Sequence, residues 1–305
     1  MKKKKLINKK NIFFYMISIP GIVWLIMFCY MPLAGLYMVF ERYTLQGGLF
    51  GSEFVGLKNF EFFFKSIDNA LRATRNTVVI NALSIILGLV VDVFLAIAIN
   101  EILNMRFRKL VQTITLFPHF LSWIVVGTIF RALLEPDYGI LNQIIQFFGC
   151  EAVKWYSESK YWWPILVLTT VWKGMGYGSI IYFAALTGFD PALYEAAEID
   201  GASRWQRIIR ITLPLLKPTI IIMFLLKIGG ILFGGMDVIV GMTNLNPLLF
   251  KTTDTIATFV YRTAIVGGQF ESASAITLYQ SLFGFLLVMT ANWIVKKIDP
   301  EYALF

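Results

Sequence analysis

Six times along this chain an apolar stretch runs for about twenty residues or more before polar residues interrupt it. An α-helix rises about 1.5 Å per residue, so roughly 20 such residues cross the ~30 Å of hydrocarbon in a bilayer. The stretches are Ile12–Phe40, Asn76–Ile99, Leu110–Leu134, Tyr161–Thr187, Thr219–Met242 and Ser272–Val295. Composition agrees with that reading. Hydrophobic residues make up 57% of the chain and charged residues 15%, against roughly 45–50% and about 25% in soluble domains. Too few polar residues remain to cover a water-facing surface, which excludes a soluble enzyme, a nucleic-acid binder and a disordered scaffold. The expected fold class is all-α: a polytopic membrane protein with six transmembrane helices, residues 1–305 forming one transmembrane domain.

The net charge of +8 is then a topology signal and not the footprint of a nucleic-acid partner. Lys2, Lys3, Lys4, Lys5, Lys9 and Lys10 precede the first run in the manner of a secretory signal. That run is too long for one, and no small-x-small cleavage site follows it, so an uncleaved helix is expected. Arg106, Arg108 and Lys109, then Arg204, Arg207, Arg210 and Lys217, and finally Lys296 and Lys297 fall on the same side as the amino terminus. Cations concentrate on the cytoplasmic face, so both termini are expected inside a cell membrane. Cys29 and Cys150 cannot make a disulfide framework, and the single histidine, His119, excludes a His-rich metal site.

The loops on the other face are short. Residues 41–75 form an outer loop whose segment Leu57-Lys58-Asn59-Phe60-Glu61-Phe62-Phe63-Phe64 is apolar enough to lie along the membrane as a short amphipathic helix. Residues 135–160 carry Trp155 and Tyr156, which with Trp162 and Trp163 suit an interfacial aromatic belt.

Residues 189–218 differ most from their surroundings. Asp190 is a good N-cap and Pro191 fits a first helical position. Tyr194, Glu195, Ala196 and Ala197 continue a helix as far as Gly201, where a left-handed turn is expected. Ser203 and Gln206 form a capping box for a second short helix carrying Arg204, Arg207 and Arg210. Pro214 and Pro218 are expected to break the chain before the fifth span. Small residues at Ala196, Ala197, Gly201 and Ala202 would let another protein approach closely.

The pattern Glu195-Ala196-Ala197, three residues, Gly201, nine residues, Ile211-x-Leu213-Pro214 resembles the EAA loop of binding-protein-dependent ABC importer permeases. Its position before the penultimate span is that family's. The segment Gly56-Leu57-x-Asn59-Phe60 and the six-span layout resemble carbohydrate permeases of the maltose-permease kind. The run Trp172-Lys173-x-x-Gly176-Tyr177 is similar to their polysaccharide and oligosaccharide branch. The resemblance covers essentially the whole chain. It implies a type I ABC importer permease fold in which 189–218 is a coupling loop seated in a cleft of an ATPase subunit. The coupling role then falls on Glu195, Ala196, Ala197 and Gly201, with Asp200 and Arg204 as polar flanks. It also implies two ATPase subunits, a second homologous permease and an extracellular solute-binding protein, and hence import of oligosaccharides or related glycans. A peptide or phosphate importer permease is the nearest alternative. A membrane enzyme acting on lipid-linked sugars is another; it would need clustered carboxylates or a metal site near an interface, where Glu135 and Asp137 are the close acidic pair, in what reads as an outer turn.

No G-x-x-x-x-G-K-[ST] loop occurs, so ATP and magnesium would belong to the partner ATPases and this chain would hold no cofactor. Gly229, Gly230, Gly234 and Gly235 lie in an apolar run and read as close packing or a bend. Charges within spans are costly and mark function. Asp92 and Lys227 lie roughly 9 and 12 Å from the inner ends of their spans, which predicts an intramembrane ion pair with a structural or gating role. Lys173, with Trp172 beside it and Tyr177 one turn on, is a candidate for the substrate path or for a packing contact to a carbonyl or carboxylate. Asp237 and Gln280 are weaker candidates. His119 is expected to be a hydrogen-bonded packing residue, and Trp24, Trp123 and Trp293 belt or lipid-facing ones.

Overall fold

A computed structural model of the protein describes residues 9–65 and 67–303. The lysines at 2–5 that help to set the expected orientation lie outside the described residues, as do the side chains of Phe62, Phe63 and Phe64 in the expected amphipathic helix. The chain divides into two compact units, residues 1–66 with 260–278 and residues 67–259 with 279–305.

In the first unit, α1 (Lys9–Leu25) passes without a gap into a π-helical turn at Ile26–Tyr30 and a 3-10 stretch at Met31–Phe40. Phe13–Phe40 is long and apolar enough to cross a bilayer, and nearly all of it is exposed, as a lipid-facing helix would be. The chain then forms a short antiparallel pair, β1 (Glu41–Arg42) with β2 (Glu53–Phe54), and α2 (Lys58–Lys65). Asn59 closes this corner: its amide donates to the carbonyls of Val39 and Glu41, both at 2.8 Å. Gly56 precedes it at φ +64°, a conformation that favours glycine. Residues 67–75, counted in the expected outer loop 41–75, belong to the next helix, Ile67–Asn100.

The second unit begins with α3 (Ile67–Asn100), followed by α4 (Met105–Leu116), α5 (Trp123–Leu133), α6 (Ile140–Phe147) and α7 (Trp162–Thr187). After these come α8 (Pro191–Ile199), α9 (Arg204–Arg207), α10 (Leu213–Gly229) and α11 (Met236–Thr243), then the short α12 (Phe250–Thr253) and α13 (Ile256–Tyr261). The last long helix, α14 (Phe270–Ile298), begins in the first unit and belongs to the second from Tyr279 onward. Asp68–Asn100, Arg204–Gly229 and Phe270–Lys297 each have the length and composition to cross a membrane. Helix α7, the fourth expected span, is 26 residues long, but Lys173 and its glycines dilute its apolar character.

Two of the six expected spans are not continuous. The third bends by 96° between Phe120 and Trp123. Pro118 cannot donate to a helical ladder, and Ser122 caps the restart by accepting from the Val125 amide at 3.3 Å. The fifth is displaced: one helix runs from Arg204 to Gly229, and α11 follows only after an irregular stretch containing Gly234 and Gly235 at φ +82° and +81°. Backbone polar groups at membrane depth need protein partners. Asn81 supplies one by donating to Ile231 O at 2.7 Å, and Gln280 another by donating to Leu232 O. The four glycines thus serve a break.

The expected interruption at Pro214 and Pro218 does not occur. A π-helical turn at Ile208–Thr212 lies just before, Pro214 falls in the first turn of α10, and Pro218 is carried inside that helix. The wider turn lets the chain pass a residue that lacks an N–H without ending the helix.

In a bilayer, helices gain little from burying apolar surface against each other, so close approach of small residues matters more. Gly127 of α5 and Gly241 of α11 meet backbone to backbone, and Gly176 of α7 lies against Thr115 of α4; a Cβ at any of these would collide with a neighbouring carbonyl. Around these crossings pack Ile80, Val126, Trp162, Leu166, Ile239 and Met242.

Candidate functional site

Two places in the second unit bring the chemistry together. The first is the turn joining α8 to α9. Asp190 accepts from the Ala192 amide at 2.9 Å and Pro191 opens α8. At its other end the Ala202 amide donates to Ala197 O at 2.9 Å and the Gly201 amide to Glu198 O at 3.0 Å, with Gly201 at φ +77°. Such a left-handed closure satisfies carbonyls that a helix end would otherwise leave open. Ser203 and Gln206 form a reciprocal capping box, at 3.3 and 2.7 Å. Arg207 bridges the two arms by donating to Glu198 Oε2 at 2.8 Å. Tyr194 Oη lies 3.2 Å from Thr212 Oγ1, which joins α8 to the π-helical turn. Every bond is local, so the turn is stiff without outside help.

What it presents outward combines small and polar residues with the large apolar side chains of Ile199 and Trp205, both exposed. Glu195, Ala196, Asp200, Gly201 and Arg204 are exposed and Ala197 half-buried. Beyond Gly201 the space is open: a Cβ there would meet nothing within 4 Å.

The second place is a cavity of about 450 Å³ lined from α3, α7 and α10 and by the bend in the third span. Lys227 Nζ of α10 lies 3.0 Å from Asp92 Oδ2 of α3. The Asp92 side chain is 4% exposed and that of Lys227 31%. Asp92 reaches its place because residue 178 on α7 is glycine; a Cβ there would overlap the carboxylate. On the same helix Tyr177 stacks on His119, ring centres 4.5 Å apart and planes 7° from parallel. Ser84 Oγ and Thr170 Oγ1, on residues that also line the cavity, are buried with no hydrogen-bond partner.

Of the other residues singled out by sequence, Lys173 points away from this arrangement. Its ammonium donates to His119 O at 2.8 Å and lies 5.2 Å from the Trp123 ring centre. The negative end of the short 3-10 turn at Phe117–Phe120 and an aromatic face thus hold the charge, which is the packing alternative. Trp172 packs against Phe130 at 6.5 Å. Asp237 is exposed in the first turn of α11, and Gln280 is buried and engaged at the break after α10. Only Tyr177, Asp92 and Lys227 come together. His119, Ser84, Thr170 and Gly178 join them unannounced. The alternation Gly174-x-Gly176-x-Gly178 was the available signal for a face open to close approach, and Pro118 next to His119 for a break that exposes a ring.

Among the described residues no group of three His, Cys, Asp or Glu side chains could hold a metal ion.

Comparison with known proteins adds the following. The family described as "Binding-protein-dependent transport system inner membrane component" matches residues 84–302. The polygalacturonan/rhamnogalacturonan transport system permease protein YteP of Bacillus subtilis (strain 168) is 36% identical over 297 residues, 97% of this chain and 91% of that protein. Among solved structures, a permease chain of a bacterial ABC transporter involved in the import of the acidic polysaccharide alginate superposes with a TM-score of 0.85 at 33% identity, covering 95% of this chain and 97% of the other. A chain from that bacterial alginate ABC transporter in complex with an alginate pentasaccharide-bound periplasmic protein gives the same TM-score of 0.85 and identity of 33%, over 95% and 96% of the two chains.

Proposed function

The chain belongs to the binding-protein-dependent transport system inner membrane component family, and from that premise we propose that it forms half of the translocation pathway of an ATP-driven importer for oligosaccharides or related glycans. It is a multi-pass membrane permease. It pairs with a second, homologous permease, receives its solute from an extracellular binding protein and draws its energy from two ATPase subunits, which hold the ATP and magnesium. The chain itself catalyses no reaction. Both termini and the α8–α9 turn face the cytoplasm, in keeping with the clustered arginines at 204, 207 and 210.

The observation that carries this reading is mechanical. The turn bearing Glu195, Ala196, Ala197, Asp200, Gly201 and Arg204 is cross-braced by Arg207 and Glu198, and it continues as one helix from Arg204 to the cavity at Lys227. A stiff exposed knob joined to a rod in this way passes movement of a gripping partner to the bundle as rigid-body motion. Alternating access follows: closure of the ATPase pair draws the two knobs together and opens the cavity outward, and release reverses it.

The test is co-purification and uptake. Purified from membranes in mild detergent, the chain is expected to bring with it an ATPase and a second permease. Vesicles bearing the complex and its binding protein are expected to accumulate a glycan only with ATP. A chain that purifies alone, or ATP-driven uptake of a peptide or phosphate in place of a glycan, would replace this reading.

A further inference from the structure

Resting on the reading that a glycan passes through this half, we propose that the cavity between α3, α7 and α10 is a subsite for an uncharged sugar ring, and that Asp92 sets this preference by cancelling the charge of Lys227. Three independent features of the cavity fit a sugar ring. The Tyr177–His119 stack is an aromatic platform on its wall, and Tyr177 is 56% exposed; a flat ring of this kind matches the apolar C–H face of a pyranose while its polar edge stays free. The hydroxyls of Ser84 and Thr170 are buried beside it without partners, and buried polar groups in a settled structure call for one. Lys227 supplies donors: an ammonium has three N–H groups, one goes to Asp92, and the side chain keeps 31% of its surface exposed. A volume of about 450 Å³ lies within the range of small-ligand sites, roughly 300–1,000 Å³.

Charge decides which sugar. The charged side chains of the lining are Lys227 and Asp92, 3.0 Å apart. A hydroxyl can take the remaining Lys227 donors with no electrostatic penalty. A uronate carboxylate taking the same donors comes within a few ångströms of Asp92, and like charges that close repel strongly at low dielectric while the ligand also loses its hydration. Asp92 is therefore a positioning residue. Packed against Gly178 and 3% exposed, it offers the solute almost no surface, yet it aims Lys227 and sets the sign of the field.

The experiment uses the complete importer, this chain with its partner permease and ATPase subunits, in lipid nanodiscs without binding protein, so that only the membrane pathway selects. The probes are a galacturonic-acid trisaccharide and the galactose trisaccharide of the same linkage, and equilibrium dialysis reads their affinities. The wild-type complex is expected to bind the galactose trisaccharide at least tenfold more tightly. Asp92→Asn is expected to narrow that ratio at least tenfold by strengthening the acidic probe. Tyr177→Ala is expected to weaken both probes together. Asp92→Asn combined with Lys227→Gln should restore the preference for the uncharged probe, which a merely damaged fold would not do. An unchanged ratio in assembled Asp92→Asn complex overturns the proposal, as does a wild-type preference for the acid or binding of neither probe. The underlying reading fails separately, by the absence of ATP-driven uptake of any saccharide into vesicles bearing the complex.

Discussion

The Asp92 carboxylate occupies the space that a side chain on Gly178 would fill: a Cβ built on residue 178 overlaps both of its oxygens. One helix has given up a side chain so that another can hold a charge against it, and Lys227 completes the arrangement from a third. Gly178→Ala is therefore expected to displace the carboxylate and lengthen the pair, at a cost of about 1–3 kcal/mol from overpacking. Thermal unfolding of the solubilised complex measures it. A fully stable Gly178→Ala protein would mean that α3 and α7 stand further apart than described.

The two partners of the ion pair are not equally buried, so their removal should not cost the same. Lys227→Met strands a nearly inaccessible carboxylate and is expected to cost about 3–5 kcal/mol. Asp92→Asn leaves a cation that still reaches the cavity, and its cost should be nearer 1 kcal/mol. Comparing the two unfolding midpoints is sufficient. Equal losses would show that both side chains see the same surroundings.

At Gly201 the constraint is the backbone. The residue sits at φ +77° with open space where a Cβ would go, so Gly201→Asn, which tolerates a left-handed conformation, should fold and retain much of its uptake. Gly201→Ile should strain the turn by about 1–2 kcal/mol and also fill the face proposed to meet the ATPase; the expected outcome is loss of uptake with the protein still in the membrane. Radiolabelled solute accumulation, normalised to membrane protein, separates the two. Normal uptake in Gly201→Ile would remove this turn from the coupling step.

Asn76 is fully buried, and its amide donates to Asp254 O at 2.9 Å and Lys251 O at 3.3 Å. Beside it, Thr77 accepts from the Ile256 amide at 2.8 Å, and Arg72 pairs with Asp254 at 3.1 Å. Asn76→Leu would remove this donor from Asp254 O, at about 1–3 kcal/mol, while Lys251 O keeps its bond from Arg75 at 2.9 Å. The expected result is loss of folded protein from the membrane at 37 °C, measured by fluorescence-detected gel filtration. A well-folded Asn76→Leu would show that water replaces the amide.

Much of this was legible in the residues. The apolar runs located most of the helices, and Asp190, Gly201 and the Ser203–Gln206 box described the α8–α9 turn almost bond by bond, because caps and left-handed glycines act locally. Interruption of long helices was harder to place. Pro214 and Pro218 look like breaks, yet a π-helical turn spends one extra residue upstream and the helix continues. The actual break after Gly229 depends on amides from Asn81 and Gln280 far along the chain, and such partners have no signature in local sequence. Depth along a span brought Asp92 and Lys227 to the same level, since rise per residue is fixed. Lys173 shows the limit of that argument: its neighbours Trp172 and Tyr177 pointed to a ligand, but the carbonyl of His119, at the bend that follows Pro118, accepts from its ammonium instead.

The helix from Arg204 to Gly229 has the braced turn at its foot and Lys227 within its last turn. A helix resists compression along its axis, so a displacement of an ångström or two applied at the foot arrives at the ammonium nearly undiminished. A hydrogen bond of 3.0 Å does not survive being stretched by that amount. If the proposed ATPase grips that turn, the salt bridge is expected to act as a tripwire, slackened or drawn taut with each stroke.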